Sequence, residues 1–510
     1  MNLVQFFSVF LLAALSAVPT FAKDTFVFGI DGDPGSAINT ITTSDRYGLS
    51  SVKLLFSPLF VYNGPDAKVF FLAESVTPSK DFKTYTAKLR KGVKWHDGKP
   101  FTADDVVFTY EQQLKESNGG WAYGQLLYDG KPVVVKKVDD FTVTFTFPVL
   151  TAAAEEAIAN IYILPKHLYE GEKDIGTSPK NATPIGTGPY KFKAYKAGES
   201  LAFEANPDYF RGAPKIKNYV FRVLSDPNAA LLALQNGELD ALGGVSPADA
   251  LKLAANKNLT TLPYDEGRIG YLGFNLTRPL AQNKAVRQAV AYAINRDELI
   301  KAAYLSGDYA KAAFSYLPKK APFFTDSVEK YAFNVAKAKE TLAKAGLTNV
   351  KLVLAYTAGN KINSTLSLVL QQQLKAAGIE VEITAVNGTA LFKQLGEGKG
   401  DFDAFLGGYI MGIDPSTFAT LYTTGSSSNY LHVASKELDD LFAAGSVETN
   451  QAKRKVIYEK TQQWLADDAS QISLIENKRI LVTTSALGGV AEASLVPVYT
   501  FEDSSKLFYK

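Results

Sequence analysis

The stretch LRKGVKWHDGKPFTADDVVFTYE, residues 89–111, sets His96 beside Asp97, with Asp104 and Asp105 close behind. That grouping suits acid–base or metal chemistry, and it equally suits a polar piece of scaffold. Local physics favours scaffold. LRKGVKW reads as a strand that ends in the HDGKP turn, where Asp97-Gly98 is a common turn pair. Thr102 is a good helix N-cap, and Asp105 stands three residues on, where its carboxylate reaches back to the cap amide. Phe101 and Val106 occupy the hydrophobic-staple positions, and Asp104 and Asp105 face the positive helix end. Every charge from Asp97 onward then has a structural role.

Working outward, the chain has 510 residues, which suggests roughly three domains at about 150 residues each. Its 46% apolar content supplies large cores. Formal net charge is +2 with no long Lys/Arg run, so no nucleic-acid footprint is present. The start, MNLVQFFSVFLLAALSAVPTFAKD, has an apolar run followed by Pro19 and the small-residue pattern Thr20-Phe21-Ala22. Residues 1–22 read as a signal peptide cut near Ala22. There is no cysteine, hence no disulfide, no thiol nucleophile and no anchoring through a lipidated Cys. The expected compartment is the periplasm.

Alternating apolar and polar residues at 84–90 and 138–148 predict strands of a small α/β unit over about 66–186. TSPKNATPIGTGPYKF (177–192) is a Pro/Gly-rich boundary. GRIGYLGFNLT (267–277) begins a strand near which the chain crosses between lobes. Beyond about 280, helices and strands alternate: KLVLAYTAG, a helix over roughly 365–377 and VEITAV form a strand–helix–strand unit of a parallel sheet. Helices are expected near 435–445 and 450–467. The last 30 residues return to strand-like text that rejoins the first lobe.

Enzyme motifs are missing. No HExxH, CxxC, GxSxG or Walker A loop occurs, and His96, His167 and His432 lie in separate contexts. GTGPY (186–190) lacks the lysine and following helix of a phosphate loop, and DGDPG near the start lacks calcium-ligand spacing. The expectation is a protein that is not an enzyme and carries no cofactor or metal.

Residues 89–111 closely resemble the hallmark segment of the family 5 extracellular solute-binding proteins of peptide, dipeptide and nickel ABC transporters. PIGTGPYKF (184–192), NPDYFRGAPKIKNYVFRVLSDPNAALLALQNGELD (206–240), LGFNLTRPLAQNKAVRQAVAYAINRDELIKAAYLSG (272–307) and DPSTFATLYTTGSSSNYLHVASKELDDLF (414–442) agree in the same order. The resemblance implies an α/β, two-lobed periplasmic-binding-protein fold (type II, cluster C), with an extra domain inserted in the first lobe and a ligand cleft between lobes. The first lobe would comprise 23–65, 187–275 and 481–510, with 66–186 inserted, and the second lobe 276–480. The partners implied are a small-molecule or short-peptide ligand and the cognate ABC permease, with the binding protein a monomer.

Peptide-binding relatives hold the ligand amine with an Asp in a W-x-x-D pattern just before the DP motif. In LGGYIMGIDPSTF that Asp position falls on Met411 and the aromatic position on Gly408. The Arg with which dipeptide-specific relatives pair the ligand carboxylate is also missing near Asn363-Ser364-Thr365. An unpaired buried ammonium or carboxylate costs several kcal/mol, so a dedicated free-dipeptide site is disfavoured. The ligand is then an oligopeptide or an uncharged, hydroxylated solute such as an oligosaccharide. The expected contacts are Trp121, Tyr123, Tyr271, Asn387, Tyr409, Met411, Asp414 and Asn429, each weighed against a packing role, and for Asp414 against capping the helix at PSTFATLY. The alternatives are a nickel-chelate site, with His432 the one histidine to consider, a chemoreceptor partner or chaperone, and an enzyme on the same scaffold.

Overall fold

The computed structural model describes residues 23–62, 67–410, 412 and 414–510. The expected signal peptide and Met411 lie outside the described residues. Residues 89–111 fold largely as their local chemistry requires. Asp105 Oδ2 accepts the Thr102 N–H at 2.9 Å, closing a capping box on helix Ala103–Gln113. Phe101 and Val106 are fully buried. The strand itself is shorter than expected. It spans Thr84–Leu89, and the following segment reaches the Asp97-Gly98 turn by way of an isolated bridge between Lys94 and Pro100. Gly92 ends the alternation in a left-handed conformation (φ 76°), after which Val93 and Trp95 are buried by the fold of the loop.

His96 has a role that the turn alone does not reveal. Its Nδ1 accepts the Gly186 N–H and its Nε2–H donates to the Gly188 carbonyl, both at 3.1 Å. The imidazole thus clips the inserted unit to the GTGP loop of the first lobe. Gly186 and Gly188 are there for close approach: a Cβ would lie 1.8 Å from the Leu55 carbonyl oxygen at one and 2.4 Å from that of Leu54 at the other. The glycine-rich loop is therefore a packing device against the end of helix Arg46–Leu55.

The inserted unit is a four-stranded antiparallel sheet, ordered Ala73–Pro78, Thr84–Leu89, Thr142–Thr146, Val134–Asp139, around a core that includes Trp95, Tyr110 and Phe145. The two lobes share one eleven-stranded sheet. In the first lobe Thr25–Ile30 lies between Asn218–Val223 and Ala241–Gly243, parallel to both. In the second, the parallel strands Val350–Thr357 and Ile379–Val386 are joined by helix Lys361–Ala376, the strand–helix–strand unit read from the sequence. Helices Lys436–Val447 and Gln451–Asp468 follow close to the expected places.

Two long antiparallel strands, Leu259–Phe274 and Gln471–Thr484, connect the lobes. Their pairing is interrupted between Asp265 and Arg268, where Glu266 and Gly267 bulge out and Gly267 takes φ 64°. The irregularity lies inside the strand, ahead of the 275/276 boundary expected from the sequence. Leu272 and Phe274 share a core with Val286 and Leu354, whereas Tyr264 packs with Phe26 and Phe221. No helix among the described residues is long and apolar enough to cross a membrane.

Burial pushes the His96 imidazole down to about 4. Against an unfolded value of about 6.5, the unfolded chain binds the proton more tightly. Stability should therefore fall as pH drops from about 6.5 to 4, by up to about 3 kcal/mol from this group. Denaturant unfolding across that range should show the slope, and His96→Gln should flatten it. Asp105 is 5% exposed and its two oxygens accept from Thr102 N–H and Lys166 N–H. Asp105→Ala leaves both donors unanswered and should cost about 2–4 kcal/mol in the same measurement.

Candidate functional site

A cavity of about 780 Å³ lies where the first lobe, the inserted unit and the second lobe meet. Helix Arg46–Leu55 brings Lys53 to it, and the bulge of the crossing strand brings Asp265 and Glu266. The segment before the C-terminus adds Tyr499 and Glu502. Tyr62, just ahead of the inserted unit, also lines it; the inserted unit contributes Trp121 and Glu156, and the second lobe contributes Lys320, Gly412 and Glu476. The lining carries the carboxylates Glu156, Asp265, Glu266, Glu476 and Glu502 and the ammonium groups Lys53 and Lys320, with Arg46 and Arg479 standing beside Glu266.

The charges are unevenly answered. Lys53 Nζ sits 2.7 Å from Glu502 Oε2, both side chains less than a tenth exposed, and 4.5 Å above the Tyr499 ring. Burial lowers the Lys53 ammonium, with Glu502 opposing that shift. Glu266 is 4% exposed, with Arg46 and Arg479 each 3.7 Å from Oε1. Neither Glu266 Oε1 nor Glu502 Oε1 has a hydrogen-bond partner among the described residues. Lys320 reaches Asp265 at 2.5 Å, yet its side chain is 79% exposed. Glu476 accepts the Lys319 N–H at 3.2 Å. Burial raises its carboxyl above the ordinary range, and the neighbouring Asp265 charge adds to the rise. The crossing strands thus present Asp265 and Glu476 to the cleft, with the largely exposed Lys320 on Asp265 and Lys311 opposite Glu476 in the sheet.

The second lobe touches the inserted unit across this cleft. Glu156 Oε2 accepts the Asp414 N–H at 2.7 Å, and the Ala152 N–H donates to the Ser446 carbonyl at 2.8 Å. Beyond that bridge lies a smaller chamber of about 460 Å³, which shares Tyr62, Glu156 and Pro322 with the larger one.

The eight residues singled out in the sequence fall in different surroundings. Trp121 lines the large chamber while its Nε1–H donates to the Thr40 carbonyl at 3.1 Å. Asp414 lines the small chamber, but Arg454 holds it in a bidentate pair at 2.5 and 2.7 Å, and Asp414 Oδ1 caps the turn Pro415–Leu421 at Ser416. Met411 is outside the described residues; Gly412 beside it lines the large chamber. The others are placed by packing, away from both chambers. Tyr271 is a core residue, its ring 5.6 Å from that of Tyr409. Tyr409 spends its hydroxyl on the Tyr316 carbonyl, Tyr422 and Gln471. Asn387 caps helix Gly388–Glu397, and Asn429 is 3% exposed, bonding Thr423 and Val433. Tyr123 stands half-buried before the turn Gly124–Leu126. His432 Nε2 contacts the Leu395 carbonyl at 2.6 Å.

The cleft charges were the residues that sequence reasoning passed over. A signal existed for two of them: Asp265-Glu266 places two adjacent carboxylates inside a largely apolar and aromatic strand, just before a glycine.

A family model described as bacterial extracellular solute-binding proteins, family 5 Middle, matches residues 69–430. The chain is 32% identical over 471 residues to the oligopeptide-binding protein AppA of Bacillus subtilis, covering 87% of this chain and 84% of AppA. Among solved structures, the ABC transporter substrate-binding protein CtaP of Listeria monocytogenes is 39% identical with a TM-score of 0.92, over 96% of this chain and all of CtaP. AppA of Bacillus subtilis in complex with a nonapeptide superposes with a TM-score of 0.77 at 27% identity, over 96% and 99% of the two chains.

The Asp414–Arg454 pair yields a direct test. Arg454 is 2% exposed, so Arg454→Met leaves a nearly buried carboxylate alone and should cost about 3–5 kcal/mol in chemical denaturation. Adding Asp414→Leu should recover a large part of that loss, since the pair is then replaced by apolar volume.

Proposed function

The chain belongs to the bacterial extracellular solute-binding proteins of family 5, and on that premise we propose that the solute it captures is an oligopeptide whose ammonium group rests on Asp265 and Glu476. As a member of that family it is the solute-binding component of an ABC importer, working in the periplasm and delivering its ligand to a membrane permease. Asp265 and Glu476 on the crossing strands, answered chiefly by the largely exposed Lys320, carry the ligand reading. A saccharide would shield these groups from water without supplying a counter-charge, and buried charge without a partner is costly. A peptide brings an ammonium that answers the carboxylates of the crossing strands. The chamber volume, about 780 Å³, suits a ligand of several residues. The similarity to AppA, whose solved complex holds a nonapeptide, points the same way.

With Arg454 occupying Asp414, the ammonium is drawn instead to the carboxylates of the crossing strands. Closure of the lobes removes water from them, which strengthens the attraction. It also ties binding to closure, because Asp265 and Glu476 sit at the strand crossing while the Glu156–Asp414 bridge forms only when the lobes meet.

Thermal unfolding in the presence of defined ligands tests the class. A ligand at 100 times its Kd adds about 2.7 kcal/mol of stability. Peptides with a free amine should give that gain, N-acetylated counterparts should bind at least about tenfold more weakly, and neutral oligosaccharides should give none. A gain from oligosaccharides with none from peptides would refute the reading.

The raised Glu476 carboxyl gives a pH signature. The amine binds the ionised form, so affinity should fall as pH drops through the raised titration range. The ligand-free protein should respond in the opposite sense at this group, because the folded state holds that proton more tightly than the unfolded chain. Calorimetric titration at a series of pH values should show the loss of affinity, and Glu476→Gln should bind weakly with that component of the slope removed.

A further inference from the structure

On the first-lobe side, the wall of the large chamber includes two short runs of chain, residues 263–267 of the crossing strand and residues 495–499 near the C-terminus. The first run contains the ladder break at Glu266 and Gly267. The second belongs to a hairpin, in which Leu495 pairs with Phe501 and Val496 with Thr500, and which lies against the crossing strand. The hairpin tip is built from two successive three-residue turns. The Tyr499 N–H donates to the Pro497 carbonyl at 2.7 Å, and the Phe501 N–H donates to the Tyr499 carbonyl at 3.0 Å. Their central residues, Val498 and Thr500, take φ 65° and 72°. Both are β-branched, and for such residues that region is an outlier.

A strained backbone persists only where its surroundings hold it. Three contacts do so here. Phe501 is buried against Phe26 and Phe28 of the first-lobe core. The Tyr499 ring lies over Lys53, whose ammonium is paired with Glu502. The third contact is Arg46, at the start of helix Arg46–Leu55. Its Nη1–H donates to the Val498 carbonyl at 3.4 Å, and its Nη2 stands 3.7 Å from Glu266 Oε1. Of the three, the guanidinium alone reaches the ladder break. Arg479, on the paired strand, stands 3.7 Å from the same carboxylate oxygen and so holds Glu266 within the crossing pair.

We infer that Arg46 is a positioning residue for lobe closure: its guanidinium joins the hairpin 495–501 to Glu266, so that a solute resting on this wall acts on the hinge. The inference rests on the reading above for the place where the solute binds, and not for its class. A guanidinium suits the task, because its planar fork of donors addresses a carbonyl and a carboxylate at once. With the joint intact, the bulge follows the cleft wall, and occupancy of the chamber biases the balance between open and closed lobes. Without it, Glu266 keeps Arg479, the hairpin keeps Lys53, and the two move separately.

The chain has no cysteine, so spin labels at Lys196→Cys in the first lobe and Lys375→Cys in the second, both exposed, report the separation of the lobes. Distance distributions are recorded with and without a free-amine nonapeptide, alongside calorimetric titration, for the otherwise unsubstituted protein, Arg46→Met, Glu266→Gln and the double variant. Arg46→Met should broaden the ligand-free distribution, stop short of full closure at saturating peptide, and bind at least about fivefold more weakly. Glu266→Gln should do the same. The double variant should lose no more than about twofold beyond either, because both substitutions cut one joint. Glu266→Gln is isosteric and carries the test if Arg46→Met does not fold. A purely structural role would lower stability to denaturant and leave the distance distributions as they were. That result overturns the inference, as do losses that multiply in the double variant. If the nonapeptide does not bind the unsubstituted protein, the peptide reading fails, and the ligand-free distributions decide this inference alone: broadened in the variants it stands, unchanged it fails.

Discussion

Everything in this molecule hangs on the antiparallel pairing of Leu259–Phe274 with Gln471–Thr484. The two strands belong to both lobes, so one sheet carries the covalent and hydrogen-bonded link across the cleft. The break in their ladder at Glu266–Gly267 does two things at once. It interrupts the regular pairing between the lobes, and it turns carboxylates toward the space between them. A regular ladder would have kept the strand pair stiffer and sent alternate side chains above and below the sheet.

The inserted unit closes the other side of the cleft. Its position is fixed by the His96 clip to the GTGP loop and by the tight approach of Gly186 and Gly188 to helix Arg46–Leu55. From that fixed base the helix Ala154–Ile158 presents Glu156 to the Asp414 amide of the second lobe. Binding and closure are then coupled in a simple way. On the proposed reading the ligand meets charges borne by the crossing strands, while the Glu156–Asp414 bridge is made by different residues, so ligand contacts and lobe contacts each bias the same equilibrium.

Much of the scaffold was legible in the sequence because its signals are local. The capping box at Thr102 and Asp105, the Asp97-Gly98 turn and the strand–helix–strand unit around Lys361–Ala376 depend on residues within a few turns of one another. The cleft was far less legible. Lys53, Glu156, Asp265, Glu476 and Glu502 lie far apart in the chain, and only the fold brings them to one cavity. Aromatic residues near strand ends were poor guides for a physical reason: Tyr271 and Tyr409 point to the protein core, where their rings pack and the Tyr409 hydroxyl finds partners. Asp414, weighed as a ligand contact against a capping role, caps the turn at Ser416, and its partner Arg454 stands on a separate helix that spacing does not pair with it. The missing aspartate at Met411 remained informative, since it directs attention to other carboxylates.

The central claim is that the carboxylates of the crossing strands, and not Asp414, receive the ligand ammonium. A crystal structure of the protein with a bound free-amine peptide tests it most directly. The account predicts the ammonium nitrogen within about 3 Å of an Asp265 or Glu476 oxygen, with Arg454 still on Asp414. An ammonium seated on Asp414 with Arg454 displaced, or a peptide whose amine touches neither Asp265 nor Glu476, would contradict it.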